Sequence, residues 1–401
     1  MSTSPRPSLT PPDFPSPLAQ PHVALGAAIP AAVAAPVAVP ITAARKGRNA
    51  PIWISGVLVL VLIGLVAYFL NAIGPAASII GMVLALVPLV GVFFAVRLVD
   101  RWEPEPVGLV VFAIAWGAIA AVAIALGVDL ALSTVLGAID SAAAEAFTAV
   151  IQAPVVEEIG KGLGVLIIFA SARRAFDGPV DGVVYGALVG AGFAFTENIQ
   201  YFAVSLIEGG VLDVSTTFFL RGILSPFAHV MFTSVTGFAL GFAARLGYST
   251  ARAIGLWLVG LAGAIVLHGF WNGSAVFFDF FALYFTAQVP LFVLFIVGII
   301  ALRREEARLT RSRLGEYAAA GWFTVQEVDM LATGRGRKQA LEWAATLRGD
   351  RRPIMRGFIA DATALAAARQ RAISGRDPNA AEDERALLER TVAARAALFA
   401  M

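Results

Sequence analysis

The sequence predicts an all-α, polytopic bundle of about eight membrane-spanning helices with both termini cytoplasmic. Three observations lead there. The 401-residue chain is 58% hydrophobic and only 14% charged, with a mean hydropathy of +0.78, which is too apolar for a soluble globule and suits helices facing lipid. Its apolar residues gather into stretches of about 20, the length that crosses a hydrocarbon core. Its basic residues fall in alternate connections between those stretches, as the positive-inside rule requires.

Residues 1–50 read as a disordered cytoplasmic tail. Pro at positions 5, 7, 11, 12, 15, 17, 30, 36 and 40 blocks helix propagation, and the rest is largely Ala and Ser. Arg45, Lys46 and Arg48 then precede the first apolar run, the pattern of an anchor that stays in the membrane. Spans are expected at 52–72, 76–97, 107–128, 147–171, 181–204, 222–244, 253–275 and 280–302. The last two lie so close that a helical hairpin around Asp279 follows. Connections on one side carry Arg45/Lys46/Arg48, Arg97/Arg101, Arg173/Arg174, Arg245/Arg252 and Arg303/Arg304/Arg308. Those on the other side, near 73–75, 129–146, 205–221 and 276–280, hold one basic residue, Arg221. The membrane domain is therefore residues 51–302. Residues 303–401 are rich in Arg, Glu and Ala, with apolar positions at helical spacing in 338–347 and 382–398. They are expected to form a small cytoplasmic helical extension, interrupted by a Gly-Arg-Gly turn at 334–336 and a polar linker at 374–381. Its basic bias suits the anionic inner leaflet of the bilayer.

With no cysteine in the chain, disulfides, thiolate ligands and a Cys nucleophile are excluded, and only His22, His229 and His268 can supply an imidazole. Ionisable groups inside a span are costly, so each is a candidate functional residue. Four clusters stand out. In span four, Glu157 and Glu158 are adjacent, with Lys161 one turn on and Pro154 bending the helix. Two carboxyls driven to different proton affinities are what acid/base chemistry uses. In span five, Glu197 and Asn198 follow a stripe of Gly182, Gly186, Gly190 and Ala194 that admits a neighbouring helix closely. In span six, His229, Thr233 and Thr236 share a face. In span seven, His268 shares a face with Asn272, with Trp271 alongside. Each cluster alone could simply tie helices together. At about 1.5 Å rise per residue, however, Glu157, Glu197, His229 and His268 all lie roughly 10–15 Å below the outer ends of their spans, although neighbouring helices run in opposite directions. One shared polar site near the extracytoplasmic face accounts for that layer.

Peptide hydrolysis in a membrane needs a water, a base, an oxyanion stabiliser and an acid for the leaving amine. Glu157, Glu158, His229, His268 and Asn272 supply the residue types for all of these. Two His and a Glu are also a catalytic zinc set, here His229, His268 and Glu158. A His-Glu-x-x-His helix is absent, and Ser274 lies in no Gly-x-Ser-x-Gly elbow. The alternative class is a proton- or cation-coupled transporter or channel using the buried Glu, Lys and His groups. It would call for repeated halves with matching broken helices, and only span four is visibly broken.

The series Glu157-Glu158-x-x-Lys161, Phe193-x-x-x-Glu197-Asn198, His229-x-x-x-Thr233 and His268-x-x-Trp271-Asn272, on four consecutive spans, resembles the PrsW family of bacterial intramembrane proteases within the CAAX prenyl protease superfamily. Asp-Arg-Trp-Glu-Pro-Glu-Pro at 100–106 also resembles that family's pattern, and the likeness covers roughly residues 52–300. The resemblance implies a multi-pass endopeptidase of the bacterial plasma membrane. It implies a single-span membrane protein as substrate, of the anti-sigma-factor kind, cut in a site-1 step on the extracytoplasmic side, and it implies no nucleic acid. Both a zinc-dependent mechanism and a metal-free, glutamate-activated water are compatible with it. In the metal-free version Glu157 or Glu158 is the base, His229 helps hold the water, His268 and Asn272 lie near the oxyanion, and Glu197 participates directly or from behind. Lys161, Asn198, Thr233 and Trp271 support the site.

Overall fold

The computed structural model describes residues 52–136 and 141–399. The expected N-terminal tail and its basic cluster lie outside the described residues. Among the described residues every regular element is a helix. Helices α1 (Ile52–Tyr68), α2 (Pro75–Val99), α3 (Val107–Ala115), α4 (Val122–Leu136), α5 (Ala142–Phe147) and α6 (Ala153–Ser171) lead to a 40-residue α7 (Pro179–Phe218). Then come α8 (Ala228–Arg245), α9 (Thr250–Phe277), the short α10 (Phe280–Leu283) and α11 (Val289–Ala319). Among the described residues, six helical runs are long and apolar enough to cross a membrane: Gly56–Ile73, Pro75–Val99, Val107–Val135, Pro179–Arg245, Thr250–Phe277 and Phe280–Ala319. The chain is an all-α, multi-pass membrane protein. Helix α6 is missing from that set because Glu157, Glu158 and Lys161 crowd its first turns.

Helix α7 is the centre of the bundle, with twenty of its residues buried. Lipid tails supply no hydrophobic drive between helices, so close backbone approach must supply the attraction. The glycine stripe does this. A Cβ at Gly182 would sit 2.1 Å from the Gly237 carbonyl oxygen, one at Gly186 2.6 Å from that of Thr233, and one at Gly190 2.4 Å from that of His229. On its other sides α7 meets α2 through Gly81, whose Cβ would lie 2.5 Å from the Ile199 oxygen, and the turn after α3 through Gly117, 1.9 Å from the Val189 oxygen.

The structure departs from the sequence expectation in two places. The connection expected at 205–221 is helical: α7 continues to Phe218, breaking at Gly210, where φ is +66° and only glycine is at ease. A π-helical turn, Phe219–Leu224, then carries the chain to α8. The Gly-Arg-Gly at 334–336 is no turn either. It opens α13 (Gly334–Thr346), because the Thr333 hydroxyl caps the helix by accepting from the Gly336 N–H at 3.1 Å.

The contacts divide the chain into two compact units between Arg303 and Arg304. The second unit contains α12 (Val325–Ala332), α13, α14 (Arg352–Ser374) and α15 (Ala380–Phe399). Leu314, Tyr317, Phe323, Leu331, Phe358 and Leu365 form its core. Ion pairs fix its register, with the buried Arg369 reaching the half-buried Glu316 at 2.8 Å and the buried Glu384 at 3.3 Å, and Arg395 reaching Glu327 at 2.8 Å in the interior.

Candidate active site

The four polar clusters of α6, α7, α8 and α9 meet inside the bundle. Lys161, fully buried, is the hub. Its ammonium reaches Glu158 Oε1 at 2.6 Å, Glu157 Oε2 at 3.3 Å and His229 Nδ1 at 3.0 Å, and lies 4.0 Å from the centre of the Phe193 ring. An ammonium only donates, so His229 Nδ1 accepts and Nε2 carries the proton, directed at Glu197 Oε2 at 2.9 Å. Glu197 is in turn held by the Arg221 guanidinium, whose Nε donates to Asn198 Oδ1 at 2.8 Å and which lies 3.8 Å over the Tyr201 ring. A continuous polar chain therefore runs from Arg221 to Glu158.

The two adjacent glutamates do different things. Glu158 is fully buried, and both oxygens are engaged: Oε1 by Lys161 and by His268 Nδ1 at 3.0 Å, Oε2 by the Thr233 hydroxyl at 3.1 Å. Glu157 is held only by the longer Lys161 contact, and its Oε2 faces His268 Nε2 at 3.9 Å. Nδ1 of His268 donates to Glu158, so with the ring neutral its Nε2 carries a lone pair. Two acceptors thus face one another across 3.9 Å, and what satisfies both is a donor such as water, or a cation. His229 and His268 meet edge to face, with ring centres 5.0 Å apart, and Phe232 stacks on His268 at 4.8 Å with Trp271 behind it at 5.8 Å.

Ligand atoms of Glu157, His229 and His268 lie within 4.8 Å of one another, a donor set that could hold a metal once His229 gives up either its Nδ1 bond from Lys161 or its Nε2 proton. The sequence expectation put Glu158 in that set; the carboxylate that groups with the two imidazoles is that of Glu157, while Glu158 spends its oxygens on Lys161, Thr233 and His268. Glu158 holding His268 Nδ1 is the carboxylate–imidazole support that orients a ligating histidine. Charge agrees: three carboxylates (Glu157, Glu158, Glu197) against Lys161 and Arg221 leave a formal −1 before either imidazole is protonated, which a further cation would balance.

Asn272 is placed differently from its expected position near an oxyanion. Its Nδ2 donates to the Ala149 carbonyl at 2.9 Å. That carbonyl is orphaned by local structure. Residues Thr148–Gln152 form a π-helical turn in which the Ala153 N–H bonds to Thr148. In that register Ala149 should pair with residue 154, a proline without an N–H. Asn272 supplies the missing donor and so ties α9 to the broken entrance of α6. Arg221 is the residue that sequence reasoning passed over; its standing as the single basic residue in one set of expected connections was the available signal.

The model of the PrsW family intramembrane metalloproteases matches residues 105–299. The matched segment takes in α3 through α9 and every residue of the polar cluster. Protease PrsW of Geobacillus kaustophilus (strain HTA426) is 32% identical over 142 residues, covering 35% of this chain and 57% of the relative. Protease PrsW of Bacillus subtilis (strain 168) is 36% identical over 106 residues, 26% of this chain and 44% of the relative. That of Oceanobacillus iheyensis is 29% identical over 200 residues, 50% of this chain and 84% of the relative. The chain thus spans about half the length of the first two relatives and most of the third. No solved structure matches.

Proposed function

We propose that this chain is an intramembrane endopeptidase that hydrolyses a peptide bond of a membrane-protein substrate at the Glu157–His229–His268 cluster. The observation carrying this reading is the pair of opposed acceptors, Glu157 Oε2 and His268 Nε2, 3.9 Å apart inside the bundle. A water donating to both is held and polarised for attack. Glu157 takes the proton as the water adds to the scissile carbonyl, since it is the glutamate with an oxygen to spare. The Lys161 ammonium places positive charge, and the His229 Nε2–H a donor, beside the developing oxyanion, where pre-aimed donors count most. Glu158 and Thr233 fix His268, and Glu197 with Arg221 fixes His229. Glu157, His268 and a His229 released from Lys161 or from its Nε2 proton would hold a zinc-like ion, which when bound would polarise the carbonyl and make the water more acidic.

The substrate class is a single-span protein of the anti-sigma-factor kind, cut in a site-1 step near the extracytoplasmic boundary. The shared depth of the four site residues and the family likeness support that side. The test is cleavage of such a substrate by purified protein in proteoliposomes. Glu157→Ala, Glu158→Ala and His229→Ala should each abolish cleavage while the protein is still made. Unchanged cleavage in all three overturns the assignment, and substrate-independent proton uptake by the liposomes without cleavage would point to transport instead.

A further inference from the structure

One cavity lies beside the polar cluster without belonging to it. Its walls are the start of α8 (Phe227, Ala228, Met231), Trp271 of α9, and Tyr284, Gln288 and Phe292 around the start of α11. It offers about 30 Å³ to water-sized centres, where a single water takes roughly 10–15 Å³. The space therefore suits a side chain of a few carbons. Phe227 and Phe292 stack at 4.9 Å to form one wall. The cavity is adjacent to the site through two residues: Ala228 directly precedes His229, and Trp271 packs on the Phe232 that stacks against His268.

Gln288 gives this cavity chemistry. It is fully buried, its amide N–H donates to the Ser274 hydroxyl, and its Oε1 has no hydrogen-bond partner. Buried acceptors are seldom left unmade, because the loss of hydration is then uncompensated. Gln288 also closes a π-helical turn, Tyr284–Gln288, and the facing wall begins at the end of another π-helical turn, Phe219–Leu224. The Tyr284 hydroxyl joins the two by donating to the Leu224 carbonyl at 2.9 Å. Such turns gather at functional sites.

We propose that this cavity is a substrate subsite: it receives one small or medium apolar side chain flanking the scissile bond, while Gln288 Oε1 accepts a backbone N–H of the same extended segment. An extended strand offers that combination, an apolar side chain and an unpaired N–H one residue apart, whereas a helix keeps its N–H groups to itself. The inference rests on the protease reading of the neighbouring cluster.

The probe is a pool of single-span model substrates with an eight-residue randomised stretch at the outer membrane boundary, incubated with the full chain in proteoliposomes, with cut sites read by mass spectrometry. Phe292→Ala should widen the cavity and shift the preferred residue at one fixed position beside the cut toward larger side chains by tenfold or more. Gln288→Leu should raise KM about tenfold across all sequences with little change in kcat. An unchanged residue preference in Phe292→Ala overturns the subsite, and it does so whether or not Gln288→Leu folds. Absence of any cleavage by the unaltered chain sinks the protease reading and the subsite with it, which separates the two failures.

Discussion

Glu157 and Glu158 are neighbours in sequence, yet the structure demands that their amide variants fail for different reasons. Glu158→Gln removes the charge from a fully buried side chain that Lys161 holds at 2.6 Å, His268 at 3.0 Å and Thr233 at 3.1 Å. Breaking a buried, hydrogen-bonded ion pair by altering one partner costs about 3–5 kcal/mol. That is a large part of the roughly 5–15 kcal/mol by which proteins are stable. Glu157→Gln loses one contact of 3.3 Å at a side chain that is 11% exposed, so about 1.5–3 kcal/mol is expected, the size of a hydrogen bond to a charged group. Its effect on rate is the larger one. Removing a general base costs about 10²–10⁴-fold. The assay pairs reversible unfolding in mixed micelles with the cleavage rate of the same preparations. Glu158→Gln should be both unstable and inactive, and Glu157→Gln stable and inactive. Equal destabilisation by the two variants, or wild-type cleavage by Glu157→Gln, refutes the division of labour.

Three other outcomes follow from the same geometry. Gly190→Ala puts a Cβ 2.4 Å from the His229 oxygen; it should cost about 1–3 kcal/mol by overpacking and displace His229 enough to lower cleavage, as thermal unfolding and turnover would report. Metal content measured on purified protein should fall in Glu157→Ala, His229→Ala and His268→Ala, whereas Glu158→Gln should weaken zinc affinity by about 10–100-fold, the usual effect of losing a supporting carboxylate; equal loss in all four would contradict the ligand assignment. The third concerns Glu105, which lies between the spans and accepts from the Tyr185 hydroxyl at 2.5 Å. Burial, with Asp181 nearby, pushes its carboxyl well above the usual 4.5, and burial likewise pushes Asp100 up to about 6. A raised folded value means the folded state holds the proton more tightly, so stability must fall as pH climbs from 4.5 through that value. Glu105→Gln should flatten this decline in unfolding midpoints measured between pH 4 and 8, and an unchanged slope would show that Glu105 is not its source.

Much of this arrangement was legible because membrane insertion restricts the sequence so strongly. Apolar length marked the helices, and the four-residue repeat of Gly182, Gly186 and Gly190 marked the face where α8 packs. The rarity of ionisable groups in lipid pointed to Glu157, Glu158, Lys161, Glu197, His229 and His268, and these do meet. Relations that depend on side-chain direction between helices were not legible. Nothing in the spacing distinguishes Glu158, turned toward Lys161, Thr233 and His268, from Glu157, turned toward His268 Nε2. The π-helical turn at Thr148–Gln152 has no sequence signal beyond Pro154, so the carbonyl that claims Asn272 was invisible. Arg221 read as a loop charge because Gly210 does interrupt the helix; that the helix resumes beyond it, with Val214 and Phe218 packed against Phe202, was not visible in the spacing.

The central claim is that Glu157 activates a water held against His268. Cleavage of a single-span substrate in H₂¹⁸O, with the new C-terminus analysed by mass spectrometry, tests it most directly. The wild-type chain should place one ¹⁸O in the new carboxylate, and Glu157→Gln, though folded, should release no product. Labelled product from Glu157→Gln at the wild-type rate would contradict the account.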